Sequence, residues 1–414
     1  MFARHAPAVA RAVAVLTLTV VAVVSWSAPG GAAPGSTGAQ RYIVVLDDSV
    51  GSPAAVARQQ TLRLGALLGP VFSHALKGYV AELTPAAVDR LRADPRVTAV
   101  EPDTWVHISD QQVPTGVRRI FADDNPVLDI DSQDDVRVDV DVAVIDTGVT
   151  RHPDLNVVAR ADCSLGICLS GFGMDDNGHG THVAGTIGAL DNGVGVVGVA
   201  PGARIHSVKV CLATGSCLSS ALVAGIDYVT ARAGTIEVAN MSLGGAGTST
   251  AVANAITRSV NAGVVYAVAA GNDAADASGF FPANHPDVIT VSALADSDGD
   301  PGGIGGNPAC RPQSHDDALA DFSNFGATVE VAAPGVCILS TWNDGGLNTL
   351  SGTSMATPHV TGAAAILAAG TGDPTNRADV LAIRQQIVAA GNLGWTDTSG
   401  DGLQEPLLDA HALA

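Results

Sequence analysis

Hydrophobic and polar residues alternate in short blocks between Arg41 and about His107, and these blocks predict a small domain. Its predicted strands are residues 42–46, 71–76, 79–83 and 97–106, with a hairpin turn at Lys77-Gly78. Its predicted helices are residues 53–68 and 85–93, each of which begins at a proline. The resulting order, βαββαβ, is typical of a small ferredoxin-like α+β domain.

The blocks that follow are longer and predict a different fold. Residues 138–145 change from period-two alternation to a continuous apolar run, as a strand does when it enters a buried sheet. Strand-like and helix-like runs then alternate, and a buried helix is predicted near the end of the chain; the strands are 204–210, 237–243, 263–270 and 287–292, and the helices are 219–231, 251–262 and 363–367. This alternation predicts a three-layer α/β/α domain with a mainly parallel sheet.

The first residues have the pattern of a secretory signal peptide. Arg4 and Arg11 precede an apolar run at 12–24 and a group of small residues. The run is shorter than the roughly 20 residues that a membrane-spanning helix needs, so we expect a secreted, extracellular protein with no membrane partner after cleavage. The predicted organisation is a signal peptide at 1–28, a Pro/Gly/Ser-rich spacer at 29–40, the small domain at 41–107 and the main domain at 108–414.

Composition excludes some partners. With 47% hydrophobic and 15% charged residues in 414, the chain can bury a large core and is not a disordered protein. Its formal charge of −20 argues against a nucleic acid or an anionic membrane, because phosphate binding needs clustered Lys and Arg, and the acidic excess lies entirely after residue 107. An acidic surface instead favours solubility and attracts divalent cations. We expect a monomer.

The chain contains six cysteines, all after residue 160, and this even number is readily paired in an oxidising compartment. A CxxC motif is absent, so a zinc site is not expected. Six cysteines allow 15 pairings, which sequence alone cannot decide. Proximity along the chain favours Cys163 with Cys168, Cys211 with Cys217, and Cys310 with Cys337.

Candidate chemistry centres on Ser354. Gly352 permits a tight turn before it, and Pro358 is compatible with a helix only if it falls in the first helical turn. Ser354 is thus predicted near a helix N-terminus, where unpaired N–H groups and the helix dipole favour negative charge on an oxygen. A serine at such a place is more often a simple N-cap, so a catalytic role for Ser354 depends on whether the sequence also offers partner residues.

Three polar residues upstream are candidate partners. Asp146 follows the predicted strand at 138–145, at the edge where α/β sheets bind ligands, although it could simply cap the next turn. His179 is flanked by glycines that let another backbone come close, whereas His182 and His359 are predicted to be packed structural histidines. Metal binding by His179 and His182 is not favoured, because HEXXH spacing is absent. Asn272 ends another predicted strand with an amide donor.

Together these residues form a coherent nucleophilic set. A serine hydroxyl becomes a good nucleophile when a neutral imidazole takes its proton, and the imidazole needs a carboxylate to fix its tautomer. The sequence resembles the subtilisin-like serine proteases in four motifs, which occur in the family's Asp, His, Ser order. The motifs are D-T-G at 146–148, G-H-G-T-H-V-A-G-T at 178–186, A-A-G-N at 269–272 and G-T-S-M-A-T-P-H-V at 352–360.

The resemblance implies a secreted serine endopeptidase that acts on proteins and peptides through an acyl-enzyme, with a broad, apolar-leaning preference. Ser354 would be the nucleophile, His179 the general base and then acid, and Asp146 its orienter. Asn272 and the Ser354 backbone N–H would form the oxyanion hole. The walls of the pocket for the residue before the scissile bond would be Ser242-Leu243-Gly244 and Ala269-Ala270-Gly271.

The same resemblance identifies the small domain as the enzyme's own propeptide, a folding chaperone and inhibitor that the enzyme removes. The mature chain would then begin near Ile108 to Gln111. Two segments depart from the family pattern. Pro114 is followed by Thr115 where an aromatic residue is common, and Gly215-Ser216-Cys217 replaces the usual Gly-Ser-Gly.

A structural calcium site is predicted in the glycine-bent loop 190–196, while catalysis itself needs no cofactor. Calcium prefers six to eight oxygen ligands, several of them carbonyls. Main-chain oxygens of Leu190, Val194 and Val196 and the Asn192 side chain would contribute, and the resemblance adds Asp154 and Gln111. The alternative is a metal-free surface loop. The acidic runs at 296–300 and 397–405 are weaker candidates and are expected to be solvated loops.

Two rival classes remain to be weighed. An α/β-hydrolase esterase would need a final glycine in its nucleophile elbow, which 352–356 lacks, and more than the 60 residues that follow Ser354. A non-enzymatic secreted binding protein with a retained propeptide would keep the scaffold without turnover. A fluorophosphonate probe distinguishes this binding protein from an enzyme, because a binding protein with a closed cleft should stay unlabelled.

Overall fold

The computed structural model describes residues 39–103 and 110–414. The chain divides into two compact units between Val106 and His107. The predicted signal peptide, the spacer up to residue 38 and the first residues of the predicted mature chain at 108–109 lie outside the described residues. Within the described ranges, no helix is long and apolar enough to cross a membrane.

The first unit has the predicted βαββαβ order. Its elements are β1 (Gln40–Leu46), α1 (Pro53–Leu64), β2 (Leu67–Phe72), β3 (Gly78–Leu83), α2 (Pro85–Arg92) and β4 (Val97–Pro102). The strands form an antiparallel sheet in the order β2-β3-β1-β4, against which the buried faces of both helices pack. We expected Gln40 to end the spacer, but it is the first residue of β1.

The predicted hairpin was placed too late in the chain. Helix α1 ends at Leu64 because Gly65 adopts a left-handed conformation, with φ of 64°, and its N–H returns to the carbonyl of Leu62. The chain can therefore enter β2 at Leu67, four residues before the predicted start. Leu67 pairs with Glu82, and residues 73–77 form the connecting loop.

The second unit contains the remaining helices and strands. Its helices are α3 (Thr115–Arg119), α4 (His179–Gly188), α5 (Ser219–Thr230), α6 (Thr250–Asn261), α7 (Thr353–Thr371) and α8 (Arg377–Ala390). Its strands are β5 (Asp141–Asp146), β6 (Val157–Asp162), β7 (Leu169–Ser170), β8 (Arg204–Lys209), β9 (Val238–Met241), β10 (Gly245–Ala246), β11 (Val265–Ala269), β12 (Phe280–Phe281), β13 (Ile289–Ala295), β14 (Ala318–Leu319), β15 (Val331–Pro334), β16 (Ile338–Thr341) and β17 (Leu347–Leu350).

A mainly parallel sheet forms the middle layer of this unit, which confirms the predicted α/β class. Its strand order is β14-β13-β11-β9-β5-β8-β6-β7, and β15 also pairs with β13. The strands from β13 to β6 are parallel, and the short edge strands β14 and β7 are antiparallel. β5 begins at Asp141 instead of residue 138, because its ladder with β8 starts at the pair Asp141 and Arg204.

Helix α7 carries Ser354 and is buried along almost its whole length. It begins at Thr353, ten residues before the helix that periodicity predicted. Pro358 consequently lies inside the helix and not in its first turn. A proline has no N–H to bond the carbonyl four residues earlier, here that of Ser354. The Ser242 hydroxyl fills this gap by donating to the Ser354 carbonyl at 2.7 Å.

All six cysteines are paired, and the three pairings favoured by proximity are present. The bridges join Cys163 to Cys168, Cys211 to Cys217 and Cys310 to Cys337.

Candidate active site

The carboxyl ends of parallel strands place the candidate residues at one edge of the sheet. Asp146 is the last residue of β5, and Asn272 follows β11 closely. Ser242 follows β9, which lies between these two strands in the sheet. Helices α4 and α7, which pack on each other, bring His179 and Ser354 to the same edge.

Asp146 and His179 are directly hydrogen-bonded. His179 Nδ1 lies 2.8 Å from Asp146 Oδ1, which also accepts the backbone N–H of Thr147 at 2.7 Å. The Asp146 side chain is 2% exposed, whereas that of His179 is 27% exposed. Since a carboxylate only accepts, Nδ1 carries the proton of this bond, and Nε2 remains free to act as a base.

Two glycines make this approach possible. Gly178 has φ of 112°, and a Cβ atom there would lie 2.3 Å from the ring of Trp342. A Cβ on Gly180 would lie 2.1 Å from the carbonyl oxygen of Gly148. The start of α4 can thus pack against Trp342 on one side and the turn after Asp146 on the other only because the residues on both sides of His179 lack side chains.

The electrostatic surroundings of His179 favour its protonated form. Burial lowers the pKa of His179, but the charge and hydrogen bond of Asp146, together with the charge of Asp175, outweigh that effect. The net result is a pKa above the ordinary histidine value.

Ser354 is the second residue of α7 and faces the same cleft as His179. Its hydroxyl donates to the carbonyl oxygen of Ser242 at 3.1 Å. Within the described residues, no hydrogen bond joins Ser354 to His179. The expected serine–histidine bond therefore requires the Ser354 side chain to rotate away from Ser242.

Asn272 is held so that its amide donor stays available. Its Oδ1 accepts both the backbone N–H and the hydroxyl of Thr353, at 2.8 and 3.0 Å. The position that a Cβ of Gly352 would occupy lies 3.7 Å from Asn272 Nδ2 and 3.6 Å from the backbone nitrogen of Ser354. Neither of these two donors has a hydrogen-bond acceptor among the described residues, so both can serve one incoming oxygen.

Two cavities meet at Ser354. One of about 490 Å³ is lined by Asp146, His179 and Ser242-Leu243-Gly244, and on its far side by residues 215–219. The other, of about 330 Å³, is lined by Leu243, Gly244, Ala269-Ala270-Gly271 and Asn272. All six predicted wall residues thus border these cavities. Phe280 and Phe281 also line the second cavity, and no sequence motif marked them.

Asp175 is a further residue of the site that the sequence motifs did not single out. One of its oxygens accepts Thr147 Oγ1 and the backbone N–H groups of Asn177 and Gly178; the other accepts the N–H and hydroxyl of Thr181. Thr147 Oγ1 in turn accepts the N–H of Gly180 at 2.9 Å. This buried carboxylate therefore ties the Asp146 turn to the start of α4. Its position just before G-H-G-T-H was the one available signal, because helix N-termini favour carboxylates.

The other two histidines of the motifs are structural. His182 and His359 are fully buried, and their rings bond to the carbonyl oxygens of Ile338 and Met355 at 2.9 Å. Burial lowers the pKa of each to about 4, so both are neutral near pH 7.

The residues of the predicted calcium site lie together. Asp154 is buried, and its two oxygens accept the Asn192 side-chain amide and the N–H of Val196, both at 3.0 Å. Burial raises the pKa of Asp154 to about 7. None of the described residues donates a hydrogen bond to the main-chain oxygens of Leu190, Val194 and Val196. These four groups fit a hard divalent cation.

Two members of the predicted set fit less well. Gln111 Oε1 accepts the N–H groups of Asn192 and Gly193, at 2.8 and 3.0 Å, so both of its lone pairs are engaged. Asn192 Oδ1 accepts the N–H of Val194 at 3.0 Å. The Gln111 amide would therefore have to reorient to present its oxygen to a cation, whereas Asn192 Oδ1 accepts only this one bond from the described residues. Gln111 Nε2 is anchored meanwhile on Asp191, 2.5 Å away.

One of the weaker acidic runs is not the solvated loop that we expected. Asp296 is 2% exposed, and its ligand atoms lie close to those of Asp298 and Asp316. Burial raises the pKa of Asp296 to about 7, and both of its oxygens accept the N–H of Gly299. Asp316 lies outside the acidic run at 296–300, so its position beside Asp296 could not be predicted from the sequence of that run.

Comparison with known proteins assigns both units. Residues 138–403 match the Subtilase family, and residues 41–109 match Peptidase inhibitor I9. Subtilisin E of Bacillus subtilis (strain 168) is 36% identical over 356 residues, which cover 84% of this chain and 86% of that protein. An alkaline protease of Shouchella clausii is 36% identical over 323 residues, which cover 78% of this chain and 76% of that protein.

A solved structure shows the same likeness. The crystal structure of a cold adapted subtilisin-like serine proteinase matches with a TM-score of 0.58 and 33% sequence identity. The match covers 73% of this chain and 99% of that one.

The Asp175 network predicts a change in the titration of His179. Replacing Asp175 by Asn removes one negative charge near the imidazole, so the pKa of His179 should fall toward its ordinary value of about 6.5. NMR titration of the imidazole measures this shift. Asp344→Asn, which removes an exposed carboxylate, serves as the control and should leave the His179 titration in place. An unchanged pKa in a folded Asp175→Asn protein would show that Asp175 does not act on His179.

Proposed function

This chain belongs to the subtilase family of serine endopeptidases, and we propose that it is a secreted, autoprocessed enzyme that cleaves proteins with Asp146, His179 and Ser354. The observation that carries this proposal is the convergence of one activated imidazole, one half-buried serine and two unused N–H donors on a single cleft.

In the first half of the proposed reaction, Ser354 Oγ attacks the carbonyl carbon of the scissile bond while His179 Nε2 takes the hydroxyl proton. Asp146 holds the imidazole in the required tautomer and stabilises the imidazolium. Negative charge then develops on the former carbonyl oxygen, where Asn272 Nδ2 and the Ser354 N–H donate to it. The position of Ser354 near the N-terminus of α7 adds the favourable end of the helix dipole.

In the second half, His179 returns its proton to the leaving amine as the C–N bond breaks, which leaves an acyl-enzyme on Ser354. A water molecule then attacks the ester, and His179 serves again as base and acid. Only the neutral imidazole can start this cycle. Since the pKa of His179 is raised, activity should rise with pH through a value above the ordinary histidine pKa.

The shape of the cleft favours an extended peptide as substrate. Ser242-Leu243-Gly244 form one border, and residues 215–218 form the facing border of the 490 Å³ cavity. The backbones on both sides could add a peptide strand between them. The smaller cavity, with alanine, glycine and phenylalanine walls beside Asn272, Asp273 and Thr353, would hold the side chain before the scissile bond.

The small N-terminal domain supports a zymogen. Its match to Peptidase inhibitor I9 and its own buried core are what an inhibitor-type propeptide requires. Secretion is proposed from the signal-like residues 1–28 and is consistent with three disulfides. The rival, a silent binding protein with a retained propeptide, is disfavoured because every group that turnover needs is present in the cleft.

A fluorophosphonate probe tests the proposed nucleophile. The mature protein should be labelled at one serine, Ser354, and should lose peptidase activity in proportion to labelling. Ser354→Ala should abolish both, while Ser351→Ala, which changes an exposed serine three residues away, should abolish neither. Intact, folded protein that resists labelling would instead support the silent binding protein.

The oxyanion role of Asn272 predicts a specific kinetic signature. Asn272→Ala should lower kcat by roughly 10² to 10³ with little change in KM, because the amide interacts strongly only with the charged oxygen of the transition state. Steady-state kinetics on a peptide amide measures both constants. A higher KM with an unchanged kcat would assign Asn272 to ground-state binding instead.

We also propose that calcium binds the cluster around Asp154 and stabilises the fold. Asp154 and the carbonyls of Leu190, Val194 and Val196 would form its centre, and Asn192 and Gln111 would contribute their amide oxygens. Without a cation, the raised pKa of Asp154 means that the folded state holds its proton more tightly than the unfolded state. Its contribution to stability is therefore lost as pH rises toward about 7.

Calcium that binds only the folded state should stabilise it by mass action. At a hundredfold excess over Kd the free energy of unfolding should increase by about 2.7 kcal/mol, and the melting temperature should rise accordingly. Thermal denaturation with calcium and with a chelator measures the difference. Asp154→Ala should remove the response to calcium, whereas Asp227→Ala, on the exposed side of α5, should retain it. Equal melting temperatures of the wild type in both conditions would refute the site.

A further inference from the structure

The segment between β8 and α5 forms a disulfide-closed hairpin that borders the cleft. We propose that the Cys211–Cys217 bridge is a specificity-determining device, which holds this border ready for substrates that extend several residues before the scissile bond. The inference rests on the proposed function, since it concerns the peptide that the same cleft would bind. We refer to residues 211–217 as the cleft hairpin.

The bridge closes the cleft hairpin at its base. Cys211 and Cys217 face each other as an antiparallel pair, and the N–H of Leu212 donates to the carbonyl of Ser216 at 2.9 Å. A turn follows in which the N–H of Gly215 donates to Leu212, and Gly215 has φ of 78°. Few other contacts restrain the outer side, because residues 212–218 are all exposed.

One end of the bridge is anchored in the catalytic strand. Cys211 is buried, and its N–H donates to the carbonyl oxygen of Asp146 at 3.2 Å. Cys217, in contrast, is exposed, and both cysteines line the cavity. The disulfide therefore connects the exposed border of the cleft to the main chain of the residue that orients His179.

The tip of the cleft hairpin is anchored on the histidine segment. Asn177 Nδ2 donates to the carbonyl oxygen of Ala213 at 2.9 Å, and Asn177 Oδ1 accepts the N–H of His179 at 3.2 Å. The hairpin is thus attached to both members of the Asp146–His179 pair, through backbone groups and not through their side chains.

The side of the cleft hairpin that faces the cavity has unused backbone groups. Within the described residues, the N–H and carbonyl of Cys217 take part in no hydrogen bond. Leu218, next in the chain, lines the same cavity and is 63% exposed. An extended peptide can pair with Cys217 and place an apolar side chain on Leu218. Without the bridge, this border would have to be ordered by the substrate at a cost in affinity.

The molecule provides a matched control. The Cys163–Cys168 bridge spans five residues along the chain, against six for Cys211–Cys217. Neither Cys163 nor Cys168 lines a cavity at Ser354. Removing either bridge should therefore cost similar stability by the chain-entropy argument, while only one removal should alter the cleft.

The experiment compares Cys211→Ser/Cys217→Ser with Cys163→Ser/Cys168→Ser in the mature enzyme. Two substrates are used: a peptide amide with four residues before the scissile bond, and an acyl amino-acid ester with one. For the cleft-hairpin variant, kcat/KM on the long peptide should fall about three- to tenfold more than on the ester, mainly through KM. The control variant should show no such difference between substrates.

A second measurement separates this inference from the proposed function. Affinity of the same long peptide, blocked at its carboxyl end, is measured by calorimetry in the Ser354→Ala background with and without Cys211–Cys217. Weaker binding of the peptide without the bridge would support the inference even if the enzyme showed no turnover. A wild type that is inactive and not labelled by the fluorophosphonate would overturn the proposed function but not this inference. Equal affinities, equal losses on both substrates, or the same selectivity change in the control would overturn the inference.

If the double variant does not fold, the mature wild type can be mildly reduced and alkylated, with mass mapping of the opened bridge. Opening of Cys211–Cys217 should reproduce the selective loss on the long peptide, and an unchanged ratio between the substrates would overturn the proposal.

Discussion

The hydrogen bond between His179 and Asp146 is the constraint on which the rest of the site depends. It requires a buried carboxylate at the end of a central strand and a helix that starts within reach of it. A buried charge is costly unless it is paired or hydrogen-bonded, so the site supplies the imidazole and the Thr147 N–H to Asp146. Asp175 supplies a second layer by joining the turn after Asp146 to the helix that carries His179.

The proposed nucleophile, Ser354, is positioned by different constraints. Helix α7 is buried along almost its whole length and runs against the sheet, which fixes Ser354 at the cleft but leaves little freedom to adjust it. Pro358 interrupts the hydrogen-bond ladder one turn later and frees the Ser354 carbonyl, to which Ser242 donates. Ser242 in return accepts the Ser354 hydroxyl at its own carbonyl. Ser242, which borders the cleft, therefore also positions Ser354, the proposed nucleophile.

The loops around this core are held mainly by polar contacts and bridges. The Asp154 cluster, the Asp296 cluster and the cleft hairpin each gather residues that are well separated along the chain or exposed to solvent. Buried carboxylates such as Asp154 and Asp296 are costly to ionise away from water, and this burial is the main reason that their pKa values are raised. A bound cation would offset the charge of such carboxylates, and a disulfide restrains an exposed segment such as the cleft hairpin.

The sequence by itself determined the chemistry and the fold class. Asp146, His179, Asn272 and Ser354 could be proposed as the reacting set because acyl transfer demands those residue types, and the glycines beside His179 mark a close backbone approach. The hydrophobic periodicities were enough to predict the parallel sheet and the βαββαβ domain. A strand buried on both faces and an element buried on one face each leave a recognisable pattern in the local sequence. Proximity along the chain favoured the three disulfide pairings that are present, but only the fold decided among the 15 possible ones.

Only the tertiary structure decided features that depend on residues far apart in the chain. Helix α1 ended early because Gly65 adopted a left-handed conformation, and α7 began early because its first turn bonds to Asn272. Gln111 could be assigned to the loop at 190–196, but the backbone N–H groups that engage its oxygen could not be foreseen. The partners of Asp175, the burial of Asp296 and the present orientation of Ser354 likewise arise from long-range packing, which no local pattern of hydrophobic and polar residues encodes.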